Sequence, residues 1–200
     1  MSQQILIIHG GTTFETQVEY INYLKTKELS LKKLCRGADW KALLAQKLGR
    51  NYTVLNPNMP NSTNARYYEW KLWFERIYKL LDKKPILIGH SLGGIFLAKY
   101  LAEHNLPHKA TALILVAAPF QGSESESLVD FELPKAIINI NNQVDKIFLI
   151  HSKDDPVVDF DDLTKYKKAL PQAMEMVFTD RQHFNSPEFP EMVKLIKKIA

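Results

Sequence analysis

Pro85-Ile86-Leu87-Ile88-Gly89-His90-Ser91-Leu92-Gly93-Gly94-Ile95-Phe96-Leu97-Ala98-Lys99-Tyr100-Leu101 joins a short apolar run to a helical pattern through a glycine-flanked serine. The spacing is G-x-S-x-G, and it has a steric reason. A serine held at the tip of a sharp strand-to-helix turn needs neighbours two residues away that carry no side chain, so that strand and helix can approach. Gly89 and Gly93 occupy those places. Composition alone predicts about 0.014 occurrences of the pattern in a chain of this kind, before a strand and a helix are required on either side. The segment therefore predicts an exposed, activated serine at Ser91.

Working outward, the same strand-then-helix alternation fills the chain. Apolar runs at Ile5 to Ile8, Tyr52 to Leu55, Pro85 to Ile88, Ala112 to Ala117, Ile147 to Ile150 and Met174 to Phe178 are expected as buried parallel strands. Residues 14–27, 38–49, 65–82, 92–104, 160–169 and 187–199 combine apolar spacing near 3.6 with charged residues elsewhere, as amphipathic helices do. Alternation of this sort implies right-handed crossovers and a mostly parallel sheet with helices on both faces, a three-layer α/β architecture. Residues 1–200 are read as one domain. Ligands of such sheets bind outside the carboxyl ends of the strands, which directs attention to the loop that follows each run.

Composition excludes several other classes. The chain is 46% hydrophobic and 24% charged, with a net charge of +4, so it reads as globular rather than disordered or fibrous. No apolar run is long enough to span a bilayer, and residues 1–8 lack a basic leader and a small-residue cleavage site. A soluble, cytoplasmic chain is the expectation. Cys35 is the single cysteine, which agrees with a reducing compartment and is read as a packing or surface thiol. Eight Lys or Arg stand between residues 25 and 50, interleaved with Leu29, Leu31, Leu34, Trp40, Leu43 and Leu44. They are read as the solvated side of helices rather than a nucleic-acid surface. No Walker or dinucleotide fingerprint and no metal-ligand spacing is present, so no cofactor or metal is called for.

A serine hydroxyl is a weak nucleophile unless a positioned base removes its proton during attack. Two downstream loops hold the residue types needed, in the order acid then histidine. After Ile147 to Ile150 come His151-Ser152-Lys153-Asp154-Asp155-Pro156-Val157-Val158, in which Asp155 is favoured as the acid over Asp154 because it precedes the stiff Pro156-Val157-Val158 turn. After Met174 to Phe178 come Thr179-Asp180-Arg181-Gln182-His183-Phe184, with His183 as the base. Ser123-Glu124-Ser125-Glu126-Ser127 is read as a short polar loop. The developing oxyanion needs backbone N–H donors. Leu92, next to the serine, supplies one; Gly11 in His9-Gly10-Gly11-Thr12-Thr13 supplies the second, with Thr12 as the alternative. Thr12, Phe14, Met59, Phe120 and Val157 are candidate substrate-binding residues, against core or surface packing as their ordinary roles.

With these motifs in place, the chain resembles the α/β-hydrolase superfamily over nearly its whole length. GHSLGG, SKDDPVV and HFNSPEF together resemble the small serine hydrolases of the retinoblastoma-binding-protein type. The resemblance implies a Ser91, Asp155 and His183 triad, hydrolysis of a small acyl ester or amide, and no cofactor. Superfamily members often carry Pro after the second valine of the acid loop and Gly before the histidine, where this chain has Asp159 and Gln182. The short stretch between Pro119 and Ile147 leaves little room for a lid, which implies an open, shallow site favouring short or polar acyl groups. Two other readings share the cleft: a non-catalytic binding module, and an acyltransferase using the same three residues.

Overall fold

Runs of Ile, Leu and Val become central strands because a strand covered on both faces has no polar side to show. The protein, a computed structural model, is described here for residues 2–35, 37–82, 84–122 and 127–200. Residues 123–126 of the polar loop read at 123–127, and Arg36 of the basic stretch, lie outside them. The strands are β1 (Gln3–Ile8), β2 (Tyr52–Leu55), β3 (Ile86–His90), β4 (Ala110–Val116), β5 (Val144–Ser152) and β6 (Met174–Phe178). The helices are α1 (Gln17–Thr26), α2 (Leu31–Leu34), α3 (Trp40–Leu48), α4 (Tyr67–Tyr78), α5 (Leu92–Glu103), α6 (Ile140–Gln143), α7 (Asp161–Ala169) and α8 (Pro190–Ile199).

The sheet order is β2-β1-β3-β4-β5-β6 and every neighbouring pair is parallel. The chain leaves β1 in one direction and returns from β2 across it to β3, so the crossovers reverse between β1 and β3. At that switch point the carboxyl ends of two adjacent strands diverge into a crevice. Ile8 pairs with Gly89 there, which sets the Gly10-Gly11 loop beside the Ser91 turn.

Strand residues alternate between two cores. Leu6, Ile8, Leu87, Leu113, Leu115, Ile147 and Leu149 face α4, α5 and α7. Ile5, Ile7, Ile86, Ile88, Ile114, Val116 and Ile150 face α3 and α8. Local signals set the helix ends. Asp39 caps α3 by accepting from the N–H groups of Lys41 and Ala42 at 3.0 and 3.2 Å, and Gly49 ends it with φ of 84°. Pro190 opens α8, where its missing N–H costs nothing. The architecture is the three-layer α/β-hydrolase fold. Between β4 and β5 the described residues form only a 3-10 turn, Val129–Phe131, and the four-residue α6, with no lid. Phe131 of that turn is buried in the core.

The first helical expectation requires correction. Residues 14–27 form a helix only from Gln17, and none of its residues is buried; Val18, Ile21 and Leu24 are exposed. Leu29, Leu31 and Leu34 are exposed as well, whereas Lys41, read as solvated, is buried with its Nζ 2.6 Å from Asp39. The ring contacts of α1 run through Tyr20 and Tyr23 to Phe14, and the Tyr20 hydroxyl reaches Thr63 at 3.3 Å, which leaves Val18, Ile21 and Leu24 facing outward. Apolar periodicity reports which side of a helix is fit for burial; it does not report whether a neighbour reaches it.

The elbow glycines admit no substitution without movement. A Cβ on Gly93 would stand 2.2 Å from the Ile8 carbonyl oxygen, and one on Gly89 would stand 2.5 Å from the Gly93 carbonyl oxygen. Backbone atoms of β1 have no rotamer by which to yield. Gly93→Ala is therefore expected to destabilise the protein by about 3 kcal/mol, at the upper end for overpacking, and to lower Tm by roughly 6 to 12 °C in thermal denaturation. A Tm unchanged from that of the parent would show that α5 can withdraw from β1 freely.

Candidate active site

Ser91 sits between β3 and α5 with φ of 54° and ψ of −126°. An L-residue pays about 1 to 3 kcal/mol for such a backbone conformation, which persists only where its surroundings enforce it. They do so here: Ser91 N–H donates to Val116 O at 2.9 Å, and its carbonyl accepts from the Gly94 N–H at 2.8 Å. The side chain is thereby lifted off the strand end. Leu92, as the first residue of α5, has no intrahelical acceptor for its N–H.

The Gly10-Gly11 loop closes over the same point. A Cβ on Gly10 would lie 3.1 Å from Ser91 Cβ, and one on Gly11 would lie 3.1 Å from a Leu92 methyl group. His9 fixes this loop. Its Nε2 accepts from the Met59 N–H at 2.8 Å, so the ring proton resides on Nδ1 and is donated to the Gly10 carbonyl at 2.6 Å. Thr12 N–H donates to the Ser62 carbonyl at 2.8 Å. Gly11 N–H makes no backbone hydrogen bond among the described residues.

The acid and histidine loops meet. His183 Nδ1 lies 2.9 Å from Asp155 Oδ2 and 3.1 Å from Oδ1, and the Asp155 side chain is wholly buried. Oδ1 also accepts from the N–H groups of Val157 and Val158 at 2.8 and 3.1 Å, so the carboxylate is fixed by its own turn. Facing a carboxylate, Nδ1 carries the proton and leaves the Nε2 lone pair available. His151, buried behind the loop, donates Nε2–H to Val158 O at 3.1 Å. Asp159 stiffens the far end by accepting from the Asp161 N–H at 2.8 Å, a role that its carboxylate performs in place of proline.

Asp154 points elsewhere. It accepts from the Ser152 hydroxyl and, at 3.0 Å, from the Gln182 N–H. The Ser152 hydrogen bond holds its carboxyl below the usual carboxylate range. Gln182 and Phe184 both have positive φ, 47° and 51°. The two turns fold the loop back toward the sheet, and they explain why glycine would be easier before His183.

On the opposite side of His183 stands His90, the elbow residue before Ser91. It is buried, and burial followed by the nearby Lys41 cation holds its pKa well below the ordinary imidazole value. A neutral ring facing a carbonyl must donate: Nε2–H meets the His183 carbonyl at 2.9 Å, and the two rings lie 4.9 Å apart. Ser91 and His183 are thus brought to the same end of the sheet, although Ser91 Oγ forms no hydrogen bond with the His183 ring among the described residues.

The candidate substrate-binding residues separate. Met59 is buried in the core, and Phe120 packs edge-on against Tyr166 with centroids 4.9 Å apart. Phe14 stacks on Tyr20 and Tyr23 of α1. Val157 is half exposed and lines a cavity of about 150 Å³ with Pro119, Gly122, Leu128, Asp162 and Lys165, at the carboxyl ends of β4 and β5. Three residues that the motif reading did not single out, Ser152, Trp40 and His90 as a loop anchor, hold the histidine segment. Ser152 and His90 adjoin motif positions and could have been suspected. Trp40 reaches Phe184 across 144 residues of sequence, with no local signal.

The chain is similar to known hydrolases. The serine hydrolase family profile matches residues 35–191. Serine hydrolase RBBP9 of Rattus norvegicus is 32% identical over 151 residues, 74% of this chain and 78% of that protein. Putative hydrolase YdeN of Bacillus subtilis is 25% identical over 189 residues, 92% of this chain and 85% of that one. The crystal structure of the ydeN gene product superposes with a TM-score of 0.74 at 20% identity, covering 99% and 98% of the two chains. A carboxylesterase of a Nitrososphaera thaumarchaeon superposes with a TM-score of 0.63 at 16% identity, covering 98% of this chain and 89% of that one. By the extent of the family match and the identity to its mammalian relative, this chain belongs to the serine hydrolase family.

Proposed function

We propose that the protein is a cofactor-independent, carboxylesterase-like enzyme that cleaves small acyl esters through an acyl-enzyme. The observation that carries this reading is the buried Asp155 carboxylate 2.9 Å from His183 Nδ1, at the same sheet end as the strained Ser91. Ser91 Oγ attacks the acyl carbon as His183 Nε2 takes its proton. The tetrahedral oxyanion is held by the N–H groups of Leu92 and Gly11, the former strengthened by the α5 dipole. The carbonyl then reforms, the C–O bond to the alcohol breaks, and His183 returns the proton to the departing oxygen. Water repeats the sequence on the acyl-enzyme and releases the acid. Asp155 keeps the imidazole proton on Nδ1 throughout and stabilises the imidazolium.

With no lid between β4 and β5 among the described residues, the acyl group has little apolar wall to occupy. Small or polar acyl groups are favoured on that ground. A panel of p-nitrophenyl esters of graded length tests the reading. The kcat/KM for acetyl and butyryl esters is expected to exceed that for dodecanoyl by at least about tenfold, since each methylene without a pocket forfeits its binding contribution. A profile rising toward long chains would overturn the small-acyl assignment. The absence of hydrolysis across the whole panel by folded protein would overturn the esterase reading.

A further inference from the structure

Four consecutive residues of the histidine segment are each held through the backbone by a side chain from elsewhere. Arg181 N–H donates to Ser152 Oγ at 3.1 Å, and Gln182 N–H donates to Asp154 Oδ1 at 3.0 Å. The His183 carbonyl accepts from His90 Nε2 at 2.9 Å, and the Phe184 carbonyl accepts from Trp40 Nε1 at 2.9 Å. These anchors differ in what they tie together. Ser152 and Asp154 stand on the strand end and loop that also bear Asp155, so they keep acid and base in register with each other. They do not set the distance to the nucleophile. His90 is the only one of the four that belongs to β3, immediately before Ser91. Trp40 packs edge-on against His90 at 6.4 Å and comes from α3.

We propose that His90 is a positioning residue that sets the separation of His183 from Ser91 through its Nε2–H hydrogen bond to the His183 carbonyl, with Trp40 supporting it from the next carbonyl. The inference rests on the esterase reading above and adds residues that touch neither substrate nor reacting atoms. Without the His90 bond, the His183–Asp155 pair remains formed, because its partners lie on the β5 and β6 loops. The pair loses its tie to the elbow and can drift as a unit. Proton transfer is steep in distance, and a misplacement of about 1 Å can lower a rate about a hundredfold. Binding of a small ester, in contrast, does not involve the His183 carbonyl.

The test compares wild type, His90→Ala, His90→Gln and Trp40→Phe by fluorophosphonate labelling rate and by kcat and KM on p-nitrophenyl acetate, each normalised to folded protein. Glutamine places an amide N–H where the imidazole Nε2–H was, whereas phenylalanine keeps the Trp40 packing but lacks the donor. We expect His90→Ala to lose roughly 10- to 100-fold in kcat and in labelling rate with KM changed less than about threefold. His90→Gln should recover to within about fivefold of wild type, and Trp40→Phe should lose about three- to tenfold in kcat on the same reasoning. Should His90→Ala fail to fold, the decision passes to His90→Gln against His90→Leu, together with Trp40→Phe. The proposal is overturned if the folded variant lacking the donor at position 90 reacts as fast as wild type. It is equally overturned if His90→Gln is as slow as that variant, since ring packing alone would then account for the loss. A wild-type protein that does not label at all would instead refute the esterase reading beneath it.

Discussion

Ser91→Ala is expected to abolish fluorophosphonate labelling and to lower ester hydrolysis by about 10⁶-fold, leaving only the contribution of binding and the oxyanion donors. The size of the effect follows from the chemistry, because among the described residues no other Ser or Thr has a positive φ. The substitution is also clean. Ser91 keeps φ at 54° through backbone hydrogen bonds to Val116 and Gly94, and alanine retains both these and the Cβ that meets Gly10. Loss of a hydroxyl that makes no hydrogen bond among the described residues should move Tm by no more than roughly 2 °C. Labelling that persists at full rate in the folded variant would place the reactive group elsewhere and remove Ser91 from the mechanism.

Replacing the acid should produce the next largest loss. In Asp155→Asn the remaining oxygen continues to accept from the Val157 and Val158 N–H groups, as Oδ1 does now, which turns the amide nitrogen toward His183. Two donors then face each other unless His183 moves its proton to Nε2, and in that tautomer it cannot act as base. The expected fall in kcat is about 10⁴-fold. Asp154→Asn is the matched control. Its oxygen can still accept from Gln182 N–H, and it does not contact His183, so a loss below about tenfold is expected, with the His loop merely less tightly held. Rates of p-nitrophenyl acetate hydrolysis for the two variants decide the matter. The opposite ranking would transfer the acid role to Asp154.

Legibility from sequence varied with the range of the interaction. The six strands and the helices after Gly37 other than α6 are placed within a few residues by apolar runs and spacing; β1, β3, β4 and β5 are largely buried as expected, whereas β2 and β6, at the two edges of the sheet, contain no buried residue. The elbow is legible as the five consecutive residues Gly89 to Gly93, although the backbone atoms that exclude a side chain on Gly93 belong to the distant Ile8 and His9. The choice of Asp155 over Asp154 rested on the stiffness of the following turn, and the structure shows the underlying physics. Val157 and Val158 donate to Asp155, while Asp154 is occupied with Ser152 and Gln182. Met59 and Phe120 illustrate the limit, since an apolar side chain near a motif loop can face the core as readily as the cleft.

The helix expected over 14–27 forms at Gln17–Thr26 but does not bury its apolar side. Val18, Ile21 and Leu24 are exposed, since a local pattern does not fix whether another element reaches them. Sequence alone therefore determined the layered α/β class, the strained serine turn and the residue types that could serve it, all of which follow from local periodicity and backbone sterics. Tertiary structure alone decided which helices find a partner, which aspartate meets His183, and how Trp40 and His90 hold the histidine segment. Those outcomes depend on the strand order that brings distant loops to one end of the sheet, and on competition between neighbours for the same surface or hydrogen bond, which no local pattern encodes.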